Sequence, residues 1–292
     1  MTFPGEAAAV AVLPLWKGHG TENDFLVLDD RDDTVVLTPA IVRALCDRRA
    51  GIGADGVLRV VAQHEAVSAA RYFMDYRNAD GSLAEMCGNG ARVFARYLQR
   101  AGLETGASFT IGSRAGDVPA ELHDDGLVTV SVGPVTVLDR AATVCADGLG
   151  ELLTGRAVTM PNPHVVVTLA DEKQLAALDL SRAPVVEQPL PEGQNVEFVV
   201  HLGERHMSLR VHERGSGETR SCGTGIAAAV VAAETSDGRS PSGQRWRVDV
   251  PGGTVWASWA GRDRVELTGP AVLVARVELD VAWLSMALNP PA

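Results

Sequence analysis

Met86-Cys87-Gly88-Asn89-Gly90-Ala91 and Ser221-Cys222-Gly223-Thr224-Gly225-Ile226 are one device written twice in a single chain. In each, a cysteine leads into Gly-x-Gly and then into a run with helical patterning, predicted over 92–101 and 227–234. A helix start aims backbone N–H groups and the positive end of the helix dipole at its neighbour, so it favours an anion. Glycine lets a ligand come close to that backbone. A thiol placed there is expected to have a lowered pKa. Two copies point to two thiols facing one anionic substrate from opposite sides.

The repeat extends outward from the cysteines. Asn23-Asp24-Phe25-Leu26-Val27-Leu28 matches Asn162-Pro163-His164-Val165-Val166-Val167, a spacing of 139 residues. The cysteines are 135 apart, and Val132-Gly133-Pro134 lies 136 before Thr268-Gly269-Pro270. Element order matches as well. Each half has an Asn turn, a strand and a helix, the first helix starting at Thr38-Pro39 and stopping near Gly51, the second spanning 171–178. After each Cys-Gly-x-Gly helix come short strands with glycine turns, at 108–111, 118–122 and 128–132, and again at 246–250, 255–259 and 265–267. The fold expected is α/β, two homologous domains produced by duplication, with the boundary near 133–140. The first comprises residues 1–133 and the second 134–269. A last strand at 272–279, within a final segment 270–292, is expected to cross back to the first domain. Residues 235–244, rich in Ser and Gly, read as a surface loop, and 289–292 as a frayed tail.

Composition sets the class. The 292 residues, 46% hydrophobic and 22% charged, have the balance of a globular chain large enough for two cores. A net charge of −11 argues against nucleic acid as a partner. No stretch approaches the roughly 18 uninterrupted apolar residues of a membrane span. Nor do residues 1–15 place a basic segment before their apolar residues, so no signal peptide is read and a cytoplasmic location is expected. Four cysteines are too few for a disulfide scaffold. Cys46 shares a helical face with Ile41, Val42 and Leu45 and reads as core, and Cys145 as structural. Neither Cys-x-x-Cys nor His-x-x-x-His is present, so no metal site is expected. The Gly-x-Gly fragments also lack the rest of a dinucleotide fingerprint.

Cys87 and Cys222 suit inversion at a carbon acid. Removing the Cα proton of an amino acid and returning one to the other face needs a base and an acid on opposite sides. It also needs electrostatic help for the carbanion, such as helix N-termini donating to the α-carboxylate. One cysteine would act as thiolate and the other as thiol, exchanging roles with direction. A thiol redox switch is the alternative from another class.

Several motifs together resemble the diaminopimelate epimerase family. They are Gly18-His19-Gly20-Thr21-Glu22-Asn23-Asp24-Phe25, Asn78-Ala79-Asp80-Gly81-Ser82, Met86-Cys87-Gly88-Asn89-Gly90-Ala91-Arg92, Asn162-Pro163-His164, Asn195-Val196-Glu197-Phe198, Glu213-Arg214-Gly215-Ser216-Gly217-Glu218-Thr219 and Ser221-Cys222-Gly223-Thr224-Gly225. Proline racemases look similar at the cysteines but typically carry His where this chain has Asn89, and isomerases of the phenazine-pathway type lack the cysteine pair. The resemblance implies two pseudo-symmetric domains, each a mixed sheet wrapped around a central helix, with the active site in the cleft between them. It implies a cofactor-independent enzyme, usually dimeric, acting on diaminopimelate. Asn23, Asn78, Asn162 and Asn195 would line the pocket. The backbone N–H groups of Gly88, Asn89, Gly223 and Thr224 would take the reacting carboxylate. Arg214 would hold the distal carboxylate, Glu213 an ammonium group, and His164 would sit close to the reacting centre. Two positions depart from the family. Gly56 replaces a Gln found in some members, and Pro161 stands where Gly is usual, so the pocket's fine shape is expected to differ.

Overall fold

The structure, a computed structural model, describes residues 12–62, 70–160, 162–236, 241–259 and 263–288. The first repeat opens with β1 (Val12–Gly20), β2 (Asn23–Asp29), α1 (Pro39–Cys46), β3 (Gly56–Ala62) and β4 (Tyr72–Asn78). It continues with α2 (Gly88–Arg100), β5 (Ser108–Gly112), β6 (Val118–Leu122) and β7 (Leu127–Val132). The second begins β8 (Thr136–Cys145), β9 (Leu153–Met160), β10 (Asn162–Thr168), α3 (Glu172–Ala177), β11 (Val185–Glu187) and β12 (Asn195–Gly203). It completes with β13 (His206–Glu213), β14 (Gly217–Thr219), α4 (Gly223–Glu234), β15 (Arg245–Val250), β16 (Gly253–Ser258) and β17 (Val265–Pro270). The chain then returns as β18 (Val272–Asp280) and α5 (Val281–Leu288).

Strand pairing shows the duplication directly. In one half the order is β18-β1-β2-β3-β4-β5-β6-β7, with β2–β3 and β4–β5 parallel. In the other it is β8-β9-β10-β12-β13-β15-β16-β17, with β10–β12 and β13–β15 parallel. The remaining neighbours in both orders are antiparallel. β7 and β17 pair antiparallel, Val130 opposite Leu267, and join the halves into one network. β18 runs beside β1 as β8 runs beside β9, so the last strand completes the sheet of the first half.

Each sheet curls around one helix. In α4, Ile226-Ala227-Ala228-Ala229-Val230-Val231-Ala232 has no polar face, and every one of these residues is buried. In α2 all residues from Gly88 to Ala95 are buried, and Phe94 and Leu98 are each worth roughly 2–3 kcal/mol of burial. The peripheral α1 and α3 are capped by Thr38 and Asp171. Against expectation, α1 ends at Cys46 rather than near Gly51. Asp47 accepts the N–H groups of Arg49 and Ala50 and draws the chain into a turn.

The central helices begin four residues before the predicted runs, at Gly88 and Gly223, with the cysteines themselves as N-caps. None of Gly88, Gly90, Gly223 and Gly225 has positive φ. These glycines therefore serve closeness rather than an unusual backbone. A Cβ on Gly225 would lie 2.6 Å from Glu197 Oε1, and one on Gly223 would lie 3.1 Å from Gly88 Cα. Pro161, the tail 289–292 and residues 237–240 of the predicted loop lie outside the described residues. No helix among the described residues is long and apolar enough to cross a membrane.

Candidate active site

The two helix starts meet. Gly88 and Gly223 face each other across the centre of the molecule, above Leu267 of β17 and Val132 of β7. Cys87 Sγ accepts Gly90 N–H at 3.4 Å, and Cys222 Sγ accepts Gly225 N–H at 3.4 Å. The two cysteines thus cap their helices through the same bond, and the helix starts they cap lie in contact. Cys87 is half-buried and Cys222 buried.

Burial decides the charge state. It pushes the Cys87 thiol up to about 11, with the Glu213 carboxylate adding to the effect and the Gly90 N–H opposing it. Cys222 is pushed well above the ordinary thiol range by burial and by Glu213 and Glu197. The expectation of lowered values is therefore corrected: desolvation of a thiolate here outweighs the first N–H groups of the helix. Cys46 is a buried thiol raised to about 12, as a core residue should be, and Cys145 is exposed on β8.

On the Cys87 side, Asn23 begins β2 directly after the turn Thr21-Glu22, both residues at positive φ (51° and 61°). A β-branched residue in that region is strained. Thr21 Oγ1 is held 2.8 Å from Ser221 Oγ of the other repeat. Asn23 Oδ1 lies 3.7 Å from Cys87 Sγ, and its Nδ2 donates to Asp55 Oδ2 at 2.7 Å. Arg48 clamps Asp55 and Asp24 together; burial pulls the Asp24 carboxyl up, but Arg48 and Lys17 hold it down at about 2. Asn78 closes β4 opposite Gly56 and donates to Ser82 Oγ at 3.0 Å.

On the Cys222 side, Glu213 ends β13, accepts the Thr219 hydroxyl and takes a hydrogen bond from the Cys222 thiol. Burial raises its carboxyl pKa. His164 is fully buried, Nδ1 2.6 Å from Glu197 Oε1 and Nε2 3.0 Å from Asn162 Oδ1. Glu197 Oε2 has no hydrogen-bond partner among the described residues. Asn195 Oδ1 accepts the Arg214 N–H at 2.8 Å, fixing where the Arg214 side chain leaves the backbone. Arg214 is exposed, and its guanidinium donates to the Glu192 carbonyl. Thr224 Oγ1 is 3.5 Å from Cys222 Sγ.

Asn89 sits between the halves. Its Nδ2 donates to Ser221 O at 2.9 Å, and its Oδ1 accepts from Arg92 at 2.8 Å. The fully buried Arg92 also reaches Thr21 Oγ1, Gly88 O and Pro270 O. Asn23, Asn89, Glu213 and Thr224 thus lie in or beside the cysteine caps, whereas Asn78 bonds to Ser82 and the exposed Arg214 guanidinium to the Glu192 carbonyl. Asp55, Tyr76, Arg92, Glu197 and Ser221 were assigned no part from sequence. Strand alternation carried a signal for two of them, since Glu197 shares a face with Asn195 and Tyr76 with Asn78. The Gly56 departure leaves no void, because a Cβ there would lie 2.7 Å from Tyr76 Cε2.

Known proteins of the same shape include a phenazine biosynthesis protein of the PhzF family from Bacillus anthracis, with a TM-score of 0.65 at 15% identity over 92% of this chain and 99% of that one. A hydroxyproline epimerase from Agrobacterium vitis also has a TM-score of 0.65, at 17% identity over 92% and 93% of the two chains. In sequence, the diaminopimelate epimerase of Streptomyces coelicolor is 47% identical, covering 93% of this chain and 97% of its own length. The diaminopimelate epimerase of Thermobifida fusca is 48% identical, covering 92% and 98%. The profile described as diaminopimelate epimerase matches residues 15–138 and 156–274, one block in each repeat, and the chain belongs to that family.

Proposed function

We propose that this protein interconverts LL-2,6-diaminopimelate and meso-diaminopimelate, using Cys87 and Cys222 as the acid–base pair and no organic cofactor. The observation that supports it most is the meeting of two cysteine-capped helix starts at Gly88 and Gly223. A carbon held between them would face one sulfur on each side. The thiolate takes the Cα proton and the opposite thiol returns one, which inverts the centre without turning the substrate over. Charge building on the α-carboxylate meets the N–H groups of Gly88, Asn89, Gly223 and Thr224. Glu213, bonded to Cys222, can exchange a proton with it and hold the substrate ammonium. Asn23, Asn78, Asn162 and Asn195 supply neutral donors and acceptors, and His164 fixes Asn162. Arg214 takes the distal carboxylate as the cleft closes and excludes water.

This activity belongs to lysine and peptidoglycan precursor supply, in the cytoplasm, and the working form is a homodimer. The repeats divide as domains 1–133 and 134–269, with 270–292 returning to the first. The test is incubation with LL-diaminopimelate in heavy water without added cofactor. Meso product carrying α-deuterium is the expected result; no wash-in with a folded protein would sink the reading.

A further inference from the structure

One face of β4 packs Tyr72 and Met74 into the core of the first half and ends in Tyr76 and, two positions later, Asn78. Tyr76 is only 8% exposed, and its hydroxyl, which has no hydrogen-bond partner among the described residues, is not sealed from solvent. Its ring stands where a side chain at position 56 would begin, with Cε2 2.7 Å from a Cβ placed on Gly56. The ring meets Phe25 edge-on, centroids 5.9 Å apart, and Phe25 Cζ in turn lies 3.5 Å from a Cβ placed on Gly90 in the Cys87 cap. Its backbone carbonyl is fastened by Ala84 N–H and Arg114 Nη1, so the ring is anchored from behind. Glycine at 56 and tyrosine at 76 therefore form one complementary pair, the ring filling what the glycine leaves.

We propose that Tyr76 is a substrate-contacting residue whose hydroxyl donates a hydrogen bond to a carboxylate of the bound substrate beside Cys87. The proposal rests on the epimerase reading above. The charges that act on the phenol are those of Cys87, Glu213, Asp55 and Cys222, all groups of the cleft and its support. Burial and these negative neighbours keep the phenol protonated, so it acts as a donor and not as a base. In the free protein no described residue accepts from that donor, so it meets solvent, and a substrate carboxylate can take that place.

Tyr76→Phe keeps the ring over Gly56 and removes only the hydroxyl. The expected result is a loss of roughly 10- to 100-fold in kcat/KM for diaminopimelate, the range for one hydrogen bond to a charged group, with an unchanged melting temperature. A second readout uses the wild type. The chain has three tyrosines, so Cζ-labelled protein gives three carbon resonances, and Tyr72→Phe and Tyr97→Phe identify that of Tyr76 by elimination. Saturating diaminopimelate should move the Tyr76 resonance. Wild-type kcat/KM in Tyr76→Phe, or a Tyr76 resonance that substrate leaves in place, overturns the proposal while wild-type deuterium wash-in keeps the epimerase reading intact. A wild type without wash-in removes both.

Discussion

Cys87 and Cys222 have the same cap geometry but different floors. Beneath Cys87 lie Phe25 and Leu58; at the matching places under Cys222 lie His164 and Glu197. The two thiols are thus chemically distinct although their turns repeat. In the proposed mechanism each acts in every turnover, so Cys87→Ala and Cys222→Ala should each lower kcat by several orders of magnitude in a folded protein. Near-normal deuterium exchange in both variants would remove the two-thiol mechanism. The pH dependence follows from the raised thiols. Below the lower of their two pKa values, the singly ionised form grows tenfold per pH unit. kcat/KM should therefore climb from about pH 7 to about pH 9, where a flat profile would show a thiolate already formed. Stability moves the other way. Cys87 lies at about 11 against an ordinary 9.0, so its contribution is complete below pH 9 and is lost as pH rises through about 11.

Among elements, α2 and α4 are matched at their starts and diverge at their ends. Alanine for glycine inside a helix ordinarily adds up to about 1 kcal/mol. At Gly223 the added methyl would press on Gly88 Cα and Asn89 N, at 3.1 and 3.3 Å. Gly223→Ala should thus part the two helix starts and reduce turnover by about tenfold or more, read from initial rates; unchanged rates would mean that the cleft absorbs the methyl. At the far ends, Phe94, Tyr97 and Leu98 of α2 fill their sheet, whereas α4 presents Ala229, Ala232 and Ala233 to a pocket of about 730 Å³ that opens to solvent past Asp139 and Arg140. Val166, Val199 and His201 line the other side. Ala233→Leu should occupy part of it, adding on the order of 1 kcal/mol and raising the melting temperature by roughly 2 °C. A lower melting temperature would show that the space cannot take a branched side chain.

For the molecule as a whole, Arg92 is the tie. It is fully buried, and burial lowers its guanidinium pKa to about 10. Its bonds reach the β1–β2 turn, the start of α2 and the Pro270 carbonyl at the entry to β18, while Asn89 carries the connection on to Ser221. Lysine keeps the charge but cannot reach four acceptors at once. Arg92→Lys should cost roughly 2–3 kcal/mol in urea unfolding through acceptors left unpaired, and should lower turnover by freeing Asn89. An unshifted unfolding midpoint would place the tie elsewhere.

The duplication, the strand and helix order and the two cysteine-led helix starts were legible in the chain, because they are written locally. Glycine spacing, capping residues and the alternation of apolar positions each act within a few neighbours. The family was legible too, since its motifs are short and contiguous. Tertiary structure alone decided the thiol charge states, which turn on how much solvent the closed sheets exclude from Sγ. It alone set Tyr76 against Gly56, Glu197 behind His164, and Arg92 between three segments. The partners in these sets are 20, 33 and up to 178 residues apart in the chain. No local pattern links side chains at such separations; they meet because β3 pairs with β4, β10 with β12, and the chain returns through Pro270 into β18 beside β1.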